Sequence, residues 1–340
     1  EPEAVEYVRV CDAYGAGYFY IPGTETCLKI GGYVRYDIGV GDLFAINSIV
    51  GEQTYFKRAR ASFQLSTASE TDLGTLRTYV ETRWQWDTNG DTPYSFDRGL
   101  GVAGYTNDSE FSLNFAYIEL GGLRIGKDES FFTTFTGYAG NVINDGLAGG
   151  YGPFDTNLLT YRYSNNGFSF GISLEQGDDD PGGWGIDDYM PHVVAGLGYD
   201  AGAFQIRGVV GYDTQNDIGL VERGGWTGKL RGDVKMGEQF SAFMMVMYGE
   251  NTSNYTTWAR GGDDHTLSII GGASFQASEK LALNAELQWV DGNAFNDDWS
   301  LSVNAAYTVV PGLTVTPEIS YYDDGVDGAV GGTLRFQRSF

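Results

Sequence analysis

The feature that most constrains this chain is a hydropathy period of two, held over stretches of about ten residues and repeated sixteen times between Leu28 and Phe340. Successive side chains on a strand point to opposite faces, so this period sorts residues onto the two sides of a sheet. In the first stretch Ile30, Val34, Tyr36, Ile38 and Val40 share one face, and Lys29, Tyr33, Arg35 and Asp37 share the other. The stretch 54–67 sets Tyr55, Ala59, Ala61, Phe63 and Leu65 against Arg58, Arg60, Ser62 and Gln64, with Lys57 a misfit on the apolar side. Over 74–86, Leu76, Val80, Trp84 and Trp86 oppose Arg77, Tyr79, Glu81, Arg83 and Gln85. The same reading predicts strands over 110–120, 122–127, 158–164, 168–176, 190–200, 203–213, 226–236, 239–249, 265–277, 281–291, 299–309, 313–323 and 329–340. Fifty glycines, 23 Tyr and 20 Phe suit strands joined by turns better than surface helices. Connections alternate between short turns such as Asn165-Asn166-Gly167 and Pro311-Gly312 and long polar segments such as 87–109, 177–189, 214–225 and 250–264. One end of the sheet therefore carries turns and the other carries loops.

Which solvent the apolar face meets decides the architecture. The longest apolar run, Ala242 to Tyr248, is far short of the roughly 18 residues a membrane helix needs. A soluble sandwich would bury its apolar faces against each other. A membrane barrel inverts this, because every backbone group in lipid must be paired and the sheet has to close, with apolar residues outside and polar ones lining a lumen. The polar parity carries Arg35, Arg58, Arg60, Arg77, Arg83, Arg124, Arg162, Arg207, Arg231 and Arg335, groups that water must reach. Most runs match the roughly 9–11 tilted residues that cross a hydrocarbon layer. Tyr55, Trp84, Trp86, Trp226, Trp289 and Trp299 fall at or near the loop-side strand ends on the apolar parity, as an interfacial girdle would. The expected fold is all-β: a 16-stranded antiparallel transmembrane barrel.

Chemistry is hard to place on this chain. With 21 Lys+Arg against 45 Asp+Glu the net charge is −24, which argues against nucleic acid as a partner. His192 and His265 stand alone in their segments, no Gly-x-Ser-x-Gly occurs, and glycine clusters at 15–17 and 149–152 have no following helix to hold a phosphate. No catalysis, metal or cofactor is expected. The acidic run Gly177 to Pro181, with Asp187 and Asp188, lacks the order of a calcium loop and reads as solvated, with a divalent cation at the outer surface as the alternative. Cys11 and Cys27, 16 residues apart, fit a disulfide in an oxidising compartment; two thiols in an ordered segment are the alternative. Glu1 opens without a basic or apolar leader, so an export signal is expected to have been removed from this numbering.

The segment VCDAYGAGYFYIPGTETCLKIGGYVR, from Val10 to Arg35, resembles the N-terminal signature of the general porins of alphaproteobacteria and is very similar to that of the Brucella outer-membrane porins. The hairpin from Ala116 to Lys127 resembles the strand pair before the third loop of trimeric porins, and the chain ends in Phe340. The resemblance covers the whole chain. It departs from enteric porins in a glycine-richer hairpin and in the N-terminal cysteine segment. It implies a sixteen-stranded barrel over 28–340 behind an N-terminal segment 1–27, a homotrimer in outer-membrane lipid and lipopolysaccharide, Phe340 as the barrel-assembly signal, and a third loop at 128–157 folded into the lumen. That segment carries Phe131, Phe132, Phe135, Tyr138 and Phe154, more apolar than a freely solvated loop.

Such a constriction needs fixed charges of opposite sign. Arg35, Arg58, Arg60, Arg77 and Arg83 share lumen parity on three consecutive strands and are expected to converge on one arc, facing Asp128, Glu129, Asp145 and Asp155 of the loop segment. The alternative pairs these arginines locally with Asp37 and Glu81. The function this implies is a general diffusion porin passing small hydrophilic solutes and ions, with weak cation preference and no enzymatic activity. A sugar-selective channel would need an aromatic slide, yet Tyr33, Tyr79 and Tyr322 lie on distant strands. A soluble sandwich or adhesin fits the basic lumen face poorly. Gly32 and Gly332 are expected at the contact between barrels.

Overall fold

The computed structural model describes residues 9–47, 52–90, 105–177, 183–259, 264–292 and 295–340. Sixteen long strands form one closed antiparallel barrel: β1 Cys27–Gly41, β2 Phe56–Thr71, β3 Gly74–Gly90, β4 Tyr105–Leu120, β5 Leu123–Glu129, β6 Asp155–Asn165, β7 Phe168–Glu175 and β8 His192–Asp200 make the first half. The second half is β9 Phe204–Asp213, β10 Gly225–Met236, β11 Phe240–Glu250, β12 His265–Ser278, β13 Leu281–Val290, β14 Asp298–Val310, β15 Leu313–Asp323 and β16 Gly328–Ser339. Every strand pairs with its sequence neighbours, and β16 closes on β1 with Arg335 opposite Asp37 and Gln337 opposite Arg35. Closure leaves the sixteen barrel strands without a free edge, the condition lipid imposes. All sixteen strands read from the sequence are present; the largest shift is at β3 and β4, which run on to Gly90 and back to Tyr105 and shorten the predicted loop 87–109.

The barrel is inverted as expected. Val34, Phe111, Leu197, Val210, Leu230 and Ile319 are exposed on the outside, whereas Asp37, Glu81, Asp87, Glu286 and Glu318 are buried inside. Ring pairs mark both rims. Trp84–Phe111 and Trp299–Tyr321 lie at the loop side, with centroids 5.4 and 5.0 Å apart, and Phe168–Tyr199 lies at the turn side at 4.6 Å. Strand parity breaks once in β4: Asn114 is an extra residue opposite the Glu81/Thr82 step. Leu113 is therefore exposed outside, while Phe115 and Tyr117 gather around Tyr79 on the lumen side, each ring 5.6 Å from it.

A uniformly polar lumen does not hold all the way round. Val194, Val209, Met245, Met247, Ile270 and Val290, from β8 to β13, are fully buried on the inner face together with Phe131, Phe132, Phe135 and Tyr151. The hydrophobic core of this molecule is thus inside the barrel, between wall and loop. At the turn side Cys11 and Cys27 are joined in a disulfide, with Tyr14 and Tyr18 beneath Arg77 and Lys29. Phe340 exchanges two backbone hydrogen bonds with Gly32, of 3.0 and 3.1 Å, on the closing seam. Gly32 keeps the outward parity of Ile30 and Val34 and is covered at that seam by the Phe340 ring.

Candidate functional site

The connection between β5 and β6, residues 130–154, folds into the lumen. Its neck closes where Ser130 N–H donates to the Phe154 carbonyl at 2.6 Å. A single helical turn, α1 Phe131–Thr134, follows, with the Ser130 hydroxyl accepting from Phe132 N–H. Glu175 of β7, fully buried, accepts from Ser130 Oγ and Phe131 N–H at 2.7 Å and from the Tyr255 hydroxyl at 2.9 Å. Phe131 and Phe135 lie flat on the wall at Gly171 and Gly196, where any Cβ would stand 2.4 and 2.5 Å from ring carbons; only glycine lets the rings come this close.

Beyond the helix the loop has no strand partner for its backbone, and buried amides and carbonyls must still be bonded. Wall side chains supply the bonds, sorted by charge. Cations take loop oxygens: Arg162 donates to Thr134 Oγ1 at 2.8 Å, Arg207 to the Thr136 carbonyl at 3.4 Å, Arg231 to that of Tyr138 at 2.5 Å and Lys229 to that of Tyr151 at 2.7 Å. Anions take loop amides: Glu318 accepts from Ile143 N–H and from Asn144 N–H at 2.9 Å, and Glu286 accepts from Gly146 N–H at 2.8 Å. Gln288 accepts from Ala148 N–H at 3.1 Å. The loop is fastened in this way along β6 to β15. Among the described residues β1 to β4 make none of these bonds, and β16 makes one, Thr333 Oγ1 accepting from Asn144 Nδ2 at 3.3 Å.

On that open wall lies the basic arc. Arg35 and Arg60 are direct register partners, as are Asp37 and Arg58, and Ser62 and Arg83. Arg58 grips Asp87 through two bonds of 2.8 and 2.6 Å, Arg83 bonds Glu81 at 2.7 Å, and Arg335 grips Asp37 at 2.7 and 3.0 Å. The predicted local pairing and the predicted arc therefore coexist. The structure brings Arg35, Arg58, Arg60 and Arg83 together and adds Arg335. It does not bring Arg77 to them. Arg77 sits opposite Ala68, six positions before Arg83 on β3, which is about 20 Å at the usual rise per residue, and stands over Tyr14 at the turn-side mouth.

The four carboxylates are also unequal. Asp128 is bonded to Arg124 at 2.7 Å, and Asp155 to Lys127, both at strand ends beside the loop neck. Glu129 accepts from the Tyr138 hydroxyl and its charge reaches Arg83. Asp145, within the loop, accepts from the Tyr151 hydroxyl at 2.7 Å and its charge interacts with Arg335. Burial pushes the Asp145 carboxyl above the ordinary aspartate range, and the Tyr151 bond works against that push. Of the four, Glu129 and Asp145 are the two whose charges interact with the arc, Glu129 with Arg83 and Asp145 with Arg335.

Sequence reasoning missed Glu175, Lys229, Glu286 and Glu318, and gave Arg162, Arg207 and Arg231 no role beyond lumen parity. For Arg162, Glu175, Glu286 and Glu318 the one signal was a lumen charge without an opposite charge of the same parity in its own stretch; Arg207, Lys229 and Arg231 have Asp213 or Asp233 in theirs and carried no such signal. The lumen cluster of Tyr79, Phe115 and Tyr117 was hidden by the extra residue in β4. His192 is buried and accepts from Thr214 N–H at 3.0 Å, and His265 stacks on Tyr248. Among the described residues no group of three His, Cys, Asp or Glu could hold a metal. Asp178 to Asp180 lie outside the described residues, and Asp187 is taken by Arg223.

The family model described as "Porin subfamily" matches residues 1–335. Porin Omp2b of Brucella suis biovar 1 is 46% identical over 364 residues, covering 100% of this chain and 92% of that protein. Among solved structures, the outer membrane channel DcaP of Acinetobacter baumannii superposes with a TM-score of 0.69 at 16% identity, covering 94% of this chain and 99% of that one. The trimer form of OmpT, an outer membrane protein of Vibrio cholerae, does so at 0.59 and 12% identity, covering 93% and 100%.

Proposed function

This chain belongs to the porin subfamily, and from that premise we propose that it is a general diffusion porin, a passive water-filled channel for small hydrophilic solutes and ions. It is a multi-pass β-barrel of the outer membrane, and family and fold point to a channel rather than an enzyme. The observation that carries the reading is the asymmetric lumen. A loop is bonded to one side of the inner wall through Glu286, Glu318, Arg231 and Lys229, and the arc of Arg35, Arg58, Arg60, Arg83 and Arg335 occupies the other. Between them Glu129 and Asp145 set the negative side of a transverse field. A dipolar solute turns in such a field, and an apolar one must strip ordered water without replacing its bonds. Passage makes and breaks no covalent bond.

The proposed assembly is a homotrimer of single barrels spanning 28–340, each with an N-terminal segment 1–27 whose described part, from residue 9, is closed by the disulfide at the turn side. The trimer form of the Vibrio cholerae neighbour supports it. Phe340, hydrogen-bonded to Gly32 at the seam, is the proposed assembly signal. Net charge of −24 favours cations at the mouths while the arc opposes them at the constriction. The test is single-channel conductance of detergent-purified protein in a planar bilayer under a salt gradient. Open steps that close in threes support a trimeric channel; silence from protein shown to be folded and inserted overturns it.

A further inference from the structure

The five guanidiniums of the arc are held in two chemically different ways. Arg58, Arg83 and Arg335 are each clamped by a wall carboxylate, Asp87, Glu81 and Asp37, so each position and charge is answered at once. Arg35 and Arg60 are clamped by amides. Arg35 Nε donates to Gln337 Oε1 at 2.8 Å, and Arg60 donates through Nε and Nη2 to Gln85 Oε1 at 2.9 and 2.6 Å. An amide oxygen fixes the orientation of a guanidinium and leaves its charge uncancelled. Among the described residues neither Arg35 nor Arg60 has an ion-pair partner, and the two face each other in register on β1 and β2. Arg335 adds a third like charge near Arg35, and the Tyr33 ring lies 4.7 Å beneath the Arg35 guanidinium. Relief comes from carboxylates bonded elsewhere: the charge of Asp37, clamped to Arg335, also reaches Arg35, and Gln85 passes its own N–H groups to Asp87 and Glu110 at 3.1 and 2.8 Å.

Two adjacent, oriented, half-buried guanidiniums with no carboxylate bonded to either among the described residues repel each other unless something anionic sits against both. We propose that Arg35 and Arg60 form a binding step for small oxyanions, those with two oxygens that both forks can grip, inside a channel whose overall charge is strongly negative. Spherical chloride gains charge attraction there but no second oxygen. The inference rests on the channel reading above and names a solute class for its constriction.

The experiment is single-channel recording in KCl with inorganic phosphate added, on the full chain. Brief phosphate-induced blocks are expected at concentrations where the same increment of chloride produces none. Arg35→Gln and Arg60→Gln should each raise the half-blocking phosphate concentration at least about tenfold, the size of one charge-assisted hydrogen bond. Arg35→Lys, which keeps the charge and loses the fork, should raise it as well. Arg77→Gln removes the same charge at the turn-side mouth, eight positions from Gln85 and so about 26 Å away, and should leave the block unchanged. Conductance in KCl alone shows that each variant is folded and open. A chain that conducts in KCl but shows no phosphate block overturns the oxyanion step and leaves the channel standing, as does a block weakened equally by Arg77→Gln. Silence in KCl from inserted protein overturns the channel, and the step with it.

Discussion

Replacing Glu318 by Ala tests whether wall carboxylates hold the tip of the inserted loop. Glu318 is 3% exposed and accepts from Ile143 N–H, from Asn144 N–H and Asn144 Nδ2 at 2.9 and 2.8 Å, and from Asn304 Nδ2 at 2.9 Å. Truncation leaves two loop amides facing a methyl group. An orphaned buried donor costs about 1–3 kcal/mol, so the docked position of residues 141–146 loses roughly 2–6 kcal/mol. Even the low figure is about thirtyfold in the ratio of docked to undocked tip. Glu286, Glu175, Arg231 and Lys229 still fasten the remainder, so the loop as a whole stays inside. The readout is open-channel current noise, with circular dichroism to confirm an intact barrel. Glu318→Ala should fluctuate between conductance sublevels, and Glu318→Gln, which keeps one acceptor oxygen, should fall between it and the native chain. Noise and mean conductance indistinguishable from native in the Ala variant would refute the anchoring argument.

Other consequences are open to measurement. Gly171→Ala forces the Phe131 ring off the wall, and the overpacking should cost about 1–3 kcal/mol, read as a lower temperature for loss of the quiet open state. Because burial raises the Asp145 carboxyl, acidification neutralises it at a higher pH than an ordinary aspartate; cation preference should therefore decline early as pH falls, and Asp145→Asn should remove that early component of the titration. Reduction of Cys11–Cys27 opens a 16-residue span, so limited proteolysis should cut between Asp12 and Thr26 while KCl conductance persists; resistance to cleavage would show that packing alone holds the segment.

The barrel was legible because lipid imposes one rule on every strand: the outward parity must be apolar. Val34, Leu197 and Ile319 obey it without reference to any partner. Inside, parity gives the face but not the height. Arg77 and Arg83 share a face of β3, and only the pairing of Arg77 with Ala68 and Arg83 with Ser62 reveals that one stands at the mouth and the other at the constriction. Met245, Met247 and Val209 obscured the pattern for a different reason, since they face a loop and not water. The anchors were least legible of all. Glu286 and Glu318 bind main-chain amides 140 and 174 residues away, and a backbone N–H has no letter in a sequence.

That last point separates the mounting of the loop from its filter. The wall grips Ile143, Asn144 and Gly146 by amides that every residue except proline can offer. The side chain at Ile143 can therefore be exchanged, and the aperture retuned, without rebuilding what holds it in place, whereas a proline there removes a fastening outright; Asn144 adds its own Nδ2 to the grip and Gly146 sits at a φ of +62° that favours glycine, so these two are fixed by more than their amides.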